Sequence, residues 1–76
     1  MWIKIKNDAI RLDEILFMSF NDAEGSVIIS SKMGATFAYG QEFRQGMITR
    51  ERMINRIQYA AIKAWFNDKQ NPEVVV

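Results

Sequence analysis

The C-terminal part of this chain has two separate apolar stripes, although a single helix needs only one to form a core. Residues 49–67 show helical periodicity when they are placed at steps of about 100° around an axis. One wide arc contains Met53, Ile54, Ile57, Ala60, Ala61, Ala64 and Trp65. The opposite side contains a narrower stripe of Asn55, Tyr59, Ile62 and Phe66. We expect the wide arc to face the core, so the narrow stripe must be covered by the chain, a partner or water.

Composition limits how the fold can be stabilised. The 76 residues include no Cys and no His, which excludes disulfides and the ordinary zinc and iron sites. We therefore expect a single domain over residues 1–76, held by apolar packing, with no cofactor and no metal. The net charge is only +1, and the N-terminus has no continuous apolar run. These features predict a soluble, cytoplasmic protein with no membrane partner.

The first forty residues favour β-structure. Apolar and charged side chains alternate from Met1 to Lys6, which is the period of a half-buried strand. Polar and glycine-containing turns divide the rest of this region. The resulting strands are predicted at about residues 1–6, 9–12, 15–20, 26–31 and 35–39. Their short connections predict an antiparallel meander of three to four strands.

One long C-terminal helix is predicted at about residues 49–67. Thr49 is an acceptable N-cap, and Glu51 lies in the first turn, where the helix dipole favours a carboxylate. Residues 68–76 form a tail that is either frayed or an edge strand. The predicted fold is therefore α+β, a small antiparallel β-meander packed by one long C-terminal α-helix.

The N-terminal third resembles the start of short bacterial proteins of unassigned function. The resemblance lies in residues 2–5 (Trp-Ile-Lys-Ile) and 10–15 (Ile-Arg-Leu-Asp-Glu-Ile). Those proteins continue with a hydrophobic strand, an acidic turn containing Gly and another strand, and the similarity covers roughly the first thirty residues. It implies a β-meander and supplies no catalytic residues or ligands.

Catalysis has little support in the sequence. Without His or Cys, neither an imidazole base nor a thiol nucleophile is present, and only carboxylate pairs remain. Asp13 and Glu14 are adjacent, so on a strand they point to opposite faces. Asp22 and Glu24 lie in a polar turn, which turn propensity explains. We expect that the protein is not an enzyme.

A basic helical face suggests one possible function. Arg52, Arg56 and Lys63 lie within about 40° of one another on the predicted helix, beside Tyr59. Cations next to an aromatic ring can bind phosphates and stack a base, or bind an acidic protein. The same arrangement is also typical of an ordinary solvated helix face. A nucleic-acid-binding module is therefore the alternative function.

The narrow stripe suggests the leading function, a non-enzymatic protein-interaction domain. Aromatic residues beside arginines are typical of binding hot spots, and a homodimer through the outer helix face is one form of this hypothesis. A small bacterial or phage-type regulator or inhibitor fits this description. Three alternatives stay open, in which the stripe is covered by the tail, by the connector around Phe43 and Met47, or by strand residues such as Trp2.

Overall fold

The computed structural model describes residues 2–68. Its strands are β1 (Trp2–Ile5), β2 (Asp8–Arg11), β3 (Ile15–Asn21), β4 (Ser26–Ser31) and β5 (Thr36–Tyr39). Short 3-10 turns at Leu12–Glu14 and Arg50–Arg52 precede β3 and the single helix α1 (Arg56–Asp68), respectively. The α+β class is confirmed, and each observed strand overlaps its predicted range. The predicted tail lies outside the described residues, apart from the end of α1.

The strands form two antiparallel sheets, where the sequence predicted one meander of three to four strands. β1 pairs with β2 across a tight turn in which Lys6 has a φ of 57°. β3, β4 and β5 form a separate three-stranded sheet in sequence order. The 3-10 turn at Leu12–Glu14 divides the two sheets, because it turns the chain before β3 begins. The five predicted strand ranges therefore match, while a single meander of three to four strands fits the two sheets only in outline.

One core joins both sheets and the helix. Its buried residues are Ile3, Ile5, Ile10, Val27, Ile29, Tyr39, Ile54, Tyr59, Ile62 and Trp65. In the three-stranded sheet, Val27 lies between Phe20 and Tyr39, and Ile29 lies between Met18 and Phe37. Because side chains alternate along a strand, these residues form one apolar face, which packs into the core. The opposite face carries Phe17, Ser19, Ile28, Ser30, Thr36 and Ala38.

Helix α1 begins at Arg56, so the predicted start at Thr49 is wrong. Thr49 makes no side-chain capping hydrogen bond, and a 3-10 turn follows it. The Ile54 N–H then donates to the Gly40 carbonyl at 2.8 Å, and the Gly40 N–H donates to the Arg52 carbonyl at 3.3 Å. This bridge uses the backbone groups that a helix would need and keeps the chain extended before α1.

Asn55 is the N-cap of α1. Its Oδ1 accepts a hydrogen bond from the Gln58 N–H at 2.8 Å, and its own N–H donates to Gln58 Oε1 at 2.9 Å. The Tyr59 N–H donates to the Asn55 carbonyl at 2.9 Å, which is the first helical bond. This reciprocal arrangement is a capping box. Asn55 therefore has a role in starting the helix, and its interface role stays a prediction.

The helix buries a face centred on the narrow stripe, together with Trp65 from the wide arc. Tyr59, Ile62 and Trp65 are buried, whereas Ile57 is 80% exposed. The reason is that Met53 and Ile54 precede the helix, so apart from Trp65 the wide arc on α1 consists of alanines and Ile57. The larger side chains of the narrow stripe remove more apolar surface from water, and they determine which face packs inward.

Two matched substitutions test the orientation of the helix. We expect Ile62→Ala to lower the free energy of unfolding by about 2–5 kcal/mol, because it leaves a cavity in the core. The same change at the exposed Ile57 should alter it by less than about 0.5 kcal/mol. Urea denaturation followed by circular dichroism measures both values. Equal losses, or a larger loss for Ile57→Ala, would contradict the structure, and Ile62→Val provides a milder variant if Ile62→Ala does not fold.

Candidate protein-interaction site

Two residues of the stripe predicted as an interface, Tyr59 and Ile62, are buried in the protein. The Tyr59 ring meets the Phe20 ring edge-on, with centroids 6.1 Å apart. Phe66 is half-buried and its ring lies 5.3 Å from the Phe20 ring, whereas Asn55 is exposed. Tyr59 and Ile62 are therefore not available at the surface, and β3 supplies part of their cover through Phe20. Of the open alternatives, cover by a strand residue holds, while the tail lies outside the described residues.

Arg52, one of the three predicted contact residues, binds within the protein. Its Nε lies 2.9 Å from Asp8 Oδ2 and its Nη2 lies 3.4 Å from Asp8 Oδ1. Tyr39 donates its hydroxyl to the same Asp8 Oδ2 at 2.6 Å. The guanidinium also lies 4.8 Å from the centre of the Phe37 ring. This Asp8 cluster joins β2, β5 and the 3-10 turn before the helix.

Arg56 and Lys63 bind the turn between β3 and β4. Arg56 donates to the carbonyls of Asp22 and Ala23 at 2.7 and 3.0 Å. Lys63 Nζ lies 2.7 and 2.8 Å from the two Asp22 carboxylate oxygens, and the Tyr59 hydroxyl donates to one of them. All three predicted cations thus have partners within the chain. The nucleic-acid alternative stays a prediction, and this geometry offers it little uncompensated charge.

The two carboxylates of these clusters are held in their ionised forms. The hydrogen bonds from Arg52 and Tyr39 lower the pKa of Asp8, although partial burial opposes them. Those from Lys63 and Tyr59 lower the pKa of Asp22. Desolvation and the neighbouring carboxylate raise the pKa of Tyr59 to about 12, so its hydroxyl remains a donor. Neither cluster contains a group that titrates near neutral pH, which suits a structural role.

An apolar cleft of about 530 Å³ lies between the β1–β2 hairpin and the far end of the three-stranded sheet. Its lining includes Trp2, Ile10, Arg11, Met33, Ala35 and Phe37. Trp2 is 47% exposed and Met33 is 86% exposed, so both side chains are accessible at the cleft. Clefts with apolar walls and a few polar groups are the usual form of a binding site.

The fold explains how these side chains reach the cleft. Ile3 faces the core, so its neighbour Trp2 points outward, opposite Arg11 on β2. The Arg11 guanidinium lies 5.8 Å from the centre of the Trp2 ring and supports it from one side. Met33 projects from the turn between β4 and β5, which Gly34 completes with a φ of 90°. On one side of the cleft Arg11 therefore supports the Trp2 ring, while on the other side Met33 supplies a flexible side chain.

Two features of the sequence indicate this cleft, an aromatic residue on a charged strand face and a methionine in a turn. Trp2 occupies the outward, charged side of an alternating strand, where a large aromatic residue lacks a structural reason. Met33 occupies a turn, a position that ordinarily favours polar residues and glycine. An aromatic residue and a methionine exposed together are typical of adaptable binding surfaces. Their proximity, however, depends on the packing of the hairpin against the sheet.

Comparisons of the chain with protein-family models, curated protein sequences and solved structures found no match. Between residues 2 and 68, no helix has the length and apolar character needed to cross a membrane. Over the same residues, no three acidic side chains are grouped so that they could hold a metal ion. The function is therefore argued from the geometry of the described side chains.

The Asp8 cluster predicts a specific dependence of stability on pH. Asp8 has a lower pKa in the folded protein than its ordinary value of 3.8. Its stabilising effect is complete above that ordinary value and is lost as the pH falls through the lower folded-state pKa. We expect the free energy of unfolding to fall between about pH 5 and pH 2, and to fall less steeply in Asp8→Asn.

Urea denaturation at a series of pH values measures this dependence. Asp22 also has a lowered pKa and changes stability in the same direction, so Asp22→Asn should remove a separate part of the acid dependence. The double variant should show the flattest profile of the set. An unchanged slope in Asp8→Asn would contradict the assigned contact with Arg52.

Proposed function

We propose that this protein is a non-enzymatic, cytoplasmic protein-interaction domain that binds a partner in the apolar cleft. The observation that carries the proposal is the exposure of Trp2 and Met33 on a cleft backed by Phe37. Large apolar side chains that remain accessible beside a concave surface are typical of sites that bind other proteins. This location replaces the helix stripe predicted from sequence.

The acidic side chains support a binding role over a catalytic one. Asp8 and Asp22 have lowered pKa values, so they are poorly suited to donate or accept a proton near neutral pH. Both are engaged by cations and tyrosine hydroxyls from distant parts of the chain. Their geometry favours holding the fold together, and the binding surface lies elsewhere on it.

The cleft favours an extended, apolar segment of the partner. Residues of β2 and of β5 contribute to its lining, and both strands lie at the edges of their sheets. A strand edge carries backbone donors and acceptors that an extended peptide can pair with, while side-chain pockets select its residues. The lining contributes one cation, Arg11, and one carboxylate, Glu14, which favours a segment with little net charge.

A domain of this kind would act as a regulator or inhibitor by binding a segment of its partner in the cleft. The partner could then no longer use that segment for another contact. The small size of the protein suits this mode, because one cleft can mask one segment without further machinery. The partner is defined here by its chemistry, an extended stretch with at least one bulky apolar side chain.

A displayed random-peptide library tests the proposal directly. We expect selection on the wild-type protein to enrich extended apolar sequences, whose synthetic versions shift the NMR signals of the Trp2 indole and the Met33 methyl group. Met33→Asp should weaken binding at least tenfold, because it places a charge against the apolar ligand. Ile57→Asp is the matched control, since Ile57 is similarly exposed but lies outside the cleft lining.

The two variants separate the possible outcomes. Loss of binding in Met33→Asp alone assigns the interaction to the cleft. Equal binding by all three proteins, or recovery of no peptide that shifts the Trp2 and Met33 signals, would overturn the proposal. Trp2→Phe identifies the indole signal of Trp2 and distinguishes it from that of the buried Trp65.

A further inference from the structure

β3 is the longest strand of the protein and lies at the edge of its sheet. It runs from Ile15 to Asn21 and pairs only with β4 among the strands of residues 2–68. Leu16 and Phe17 are 64% and 51% exposed on this strand, beside the bulge in its pairing with β4. Natural edge strands are usually protected by charges, by proline, by short length or by a bulge that twists the edge away. β3 has no charge and no proline and is seven residues long, and its bulge lies at its start, so residues 17–21 keep a regular register with β4.

The other free edges in residues 2–68 differ from β3 in charge or length. β1 carries Lys4, and β2 carries Asp8 and Arg11. β5 is only four residues long, and its continuation at Gly40 is already bonded to the segment before the helix. β3 contains seven residues and no charged side chain. It is therefore the edge that can pair with a copy of itself without placing like charges opposite each other.

We propose that two copies of this chain form a homodimer by antiparallel pairing of their β3 strands. The product is a continuous six-stranded sheet in which the two β3 strands are central and the two β5 strands lie at the ends. This inference concerns a different surface from the apolar cleft, and it stands whether or not the cleft binds a partner. A two-fold axis between the two β3 strands relates the copies. The same surface is used by both copies, so assembly through β3 stops at two.

The charges that flank β3 are compatible with this pairing. Antiparallel alignment brings Glu14, which precedes the strand in one copy, towards Asp22, which follows it in the other. Asp22 is already paired with Lys63 at 2.7 Å, so the approaching carboxylate meets an ion pair and no free negative charge. Repulsion between Glu14 of one copy and Asp22 of the other is therefore small, and the β3 residues between these two ends are all neutral.

Pairing would leave the existing packing of β3 unchanged. Met18 and Phe20 belong to the inner face, where Phe20 contacts Tyr59 and Phe66. Phe17 lies on the outer face and would face Ser19 of the second copy, so the two Phe17 rings would be diagonal neighbours within reach of each other. Aromatic side chains on neighbouring strands stabilise a sheet beyond their hydrogen bonds. The dimer thus covers an apolar residue that the monomer leaves half exposed.

Sedimentation velocity over a wide range of protein concentration tests the proposal. We expect wild type to show a concentration-dependent dimer, and Phe17→Lys to raise the dissociation constant at least tenfold, since paired lysines repel. Ile57→Lys is the matched control, because it adds the same charge at an exposed site away from β3. Circular dichroism and urea denaturation verify that each variant is folded, and Ser19→Lys provides a second edge variant if Phe17→Lys is not.

The native chain has no Cys, so an introduced cysteine can locate the interface. Strand pairing about Met18, the centre of β3, places Phe17 of one copy opposite Ser19 of the other, with Cα atoms about 4.5–5.5 Å apart, which permits a disulfide between these two positions. We expect an equal mixture of the Phe17→Cys and Ser19→Cys proteins to form the mixed covalent dimer on mild oxidation, while Lys32→Cys in the exposed β4–β5 turn forms far less covalent dimer. A covalent dimer that keeps the wild-type circular dichroism spectrum would support the pairing.

Three results would overturn the proposal. The first is a monomer at every concentration, and the second is a dimer that Phe17→Lys and Ser19→Lys leave intact. The third is equal cross-linking of the mixed Phe17→Cys and Ser19→Cys proteins and of Lys32→Cys. Hydrogen exchange of the β3 amides then identifies the true occupant: protection in a monomer that disappears on removal of residues 69–76 assigns the edge to the chain itself.

Discussion

The backbone bridge between Gly40 and the segment before the helix determines much of the structure. It holds the chain extended through Ile54, and it is the reason that α1 starts at Arg56. Glycine at position 40 leaves room for the neighbouring side chains, because a Cβ there would lie 2.6 Å from Ile48 Cδ1 and 3.2 Å from Ser26 Cβ. The delayed start removes large side chains from one helix face, and the other face therefore packs on the sheets. The backbone bridge between Gly40 and the segment before the helix thus favours the burial of Tyr59 and Ile62, although no residue of α1 takes part in the bridge.

The polar clusters at Asp8 and Asp22 complement the apolar core. The contact between Asp8 and Arg52 spans 44 residues, and the contact between Asp22 and Lys63 spans 41. In a chain without Cys, these contacts join distant segments in a role that a disulfide often has in small domains. Ion pairs with this much exposure to solvent add little to stability. Their main effect is to set the position of the hairpin and of the β3–β4 turn.

This internal use of charge changes where the protein can interact. The basic residues that made the helix resemble a nucleic-acid contact instead hold the turn between β3 and β4 and the end of β2. The accessible apolar features include the cleft with Trp2 and Met33, and the β3 edge with Leu16 and Phe17. Small domains rarely leave such side chains exposed together without a use. Both proposals accordingly concern contacts with polypeptide, one with a foreign segment and one with a second copy.

Local periodicity determined most of the secondary structure. The alternation in residues 1–6 and the polar turns located the strands, because a period of two and the preferences of turn residues act over a few neighbours. The Asn-x-x-Gln pattern at residues 55–58 also contained the true helix start. Thr49 offers a competing cap, and only the long-range bridge to Gly40 decides between them. The sequence alone therefore determined the α+β class, the strands and the absence of disulfides. The tertiary structure decided which helix face is buried, which groups the three cations bind and that Trp2 and Met33 line one cleft, because these depend on contacts between residues far apart in the chain.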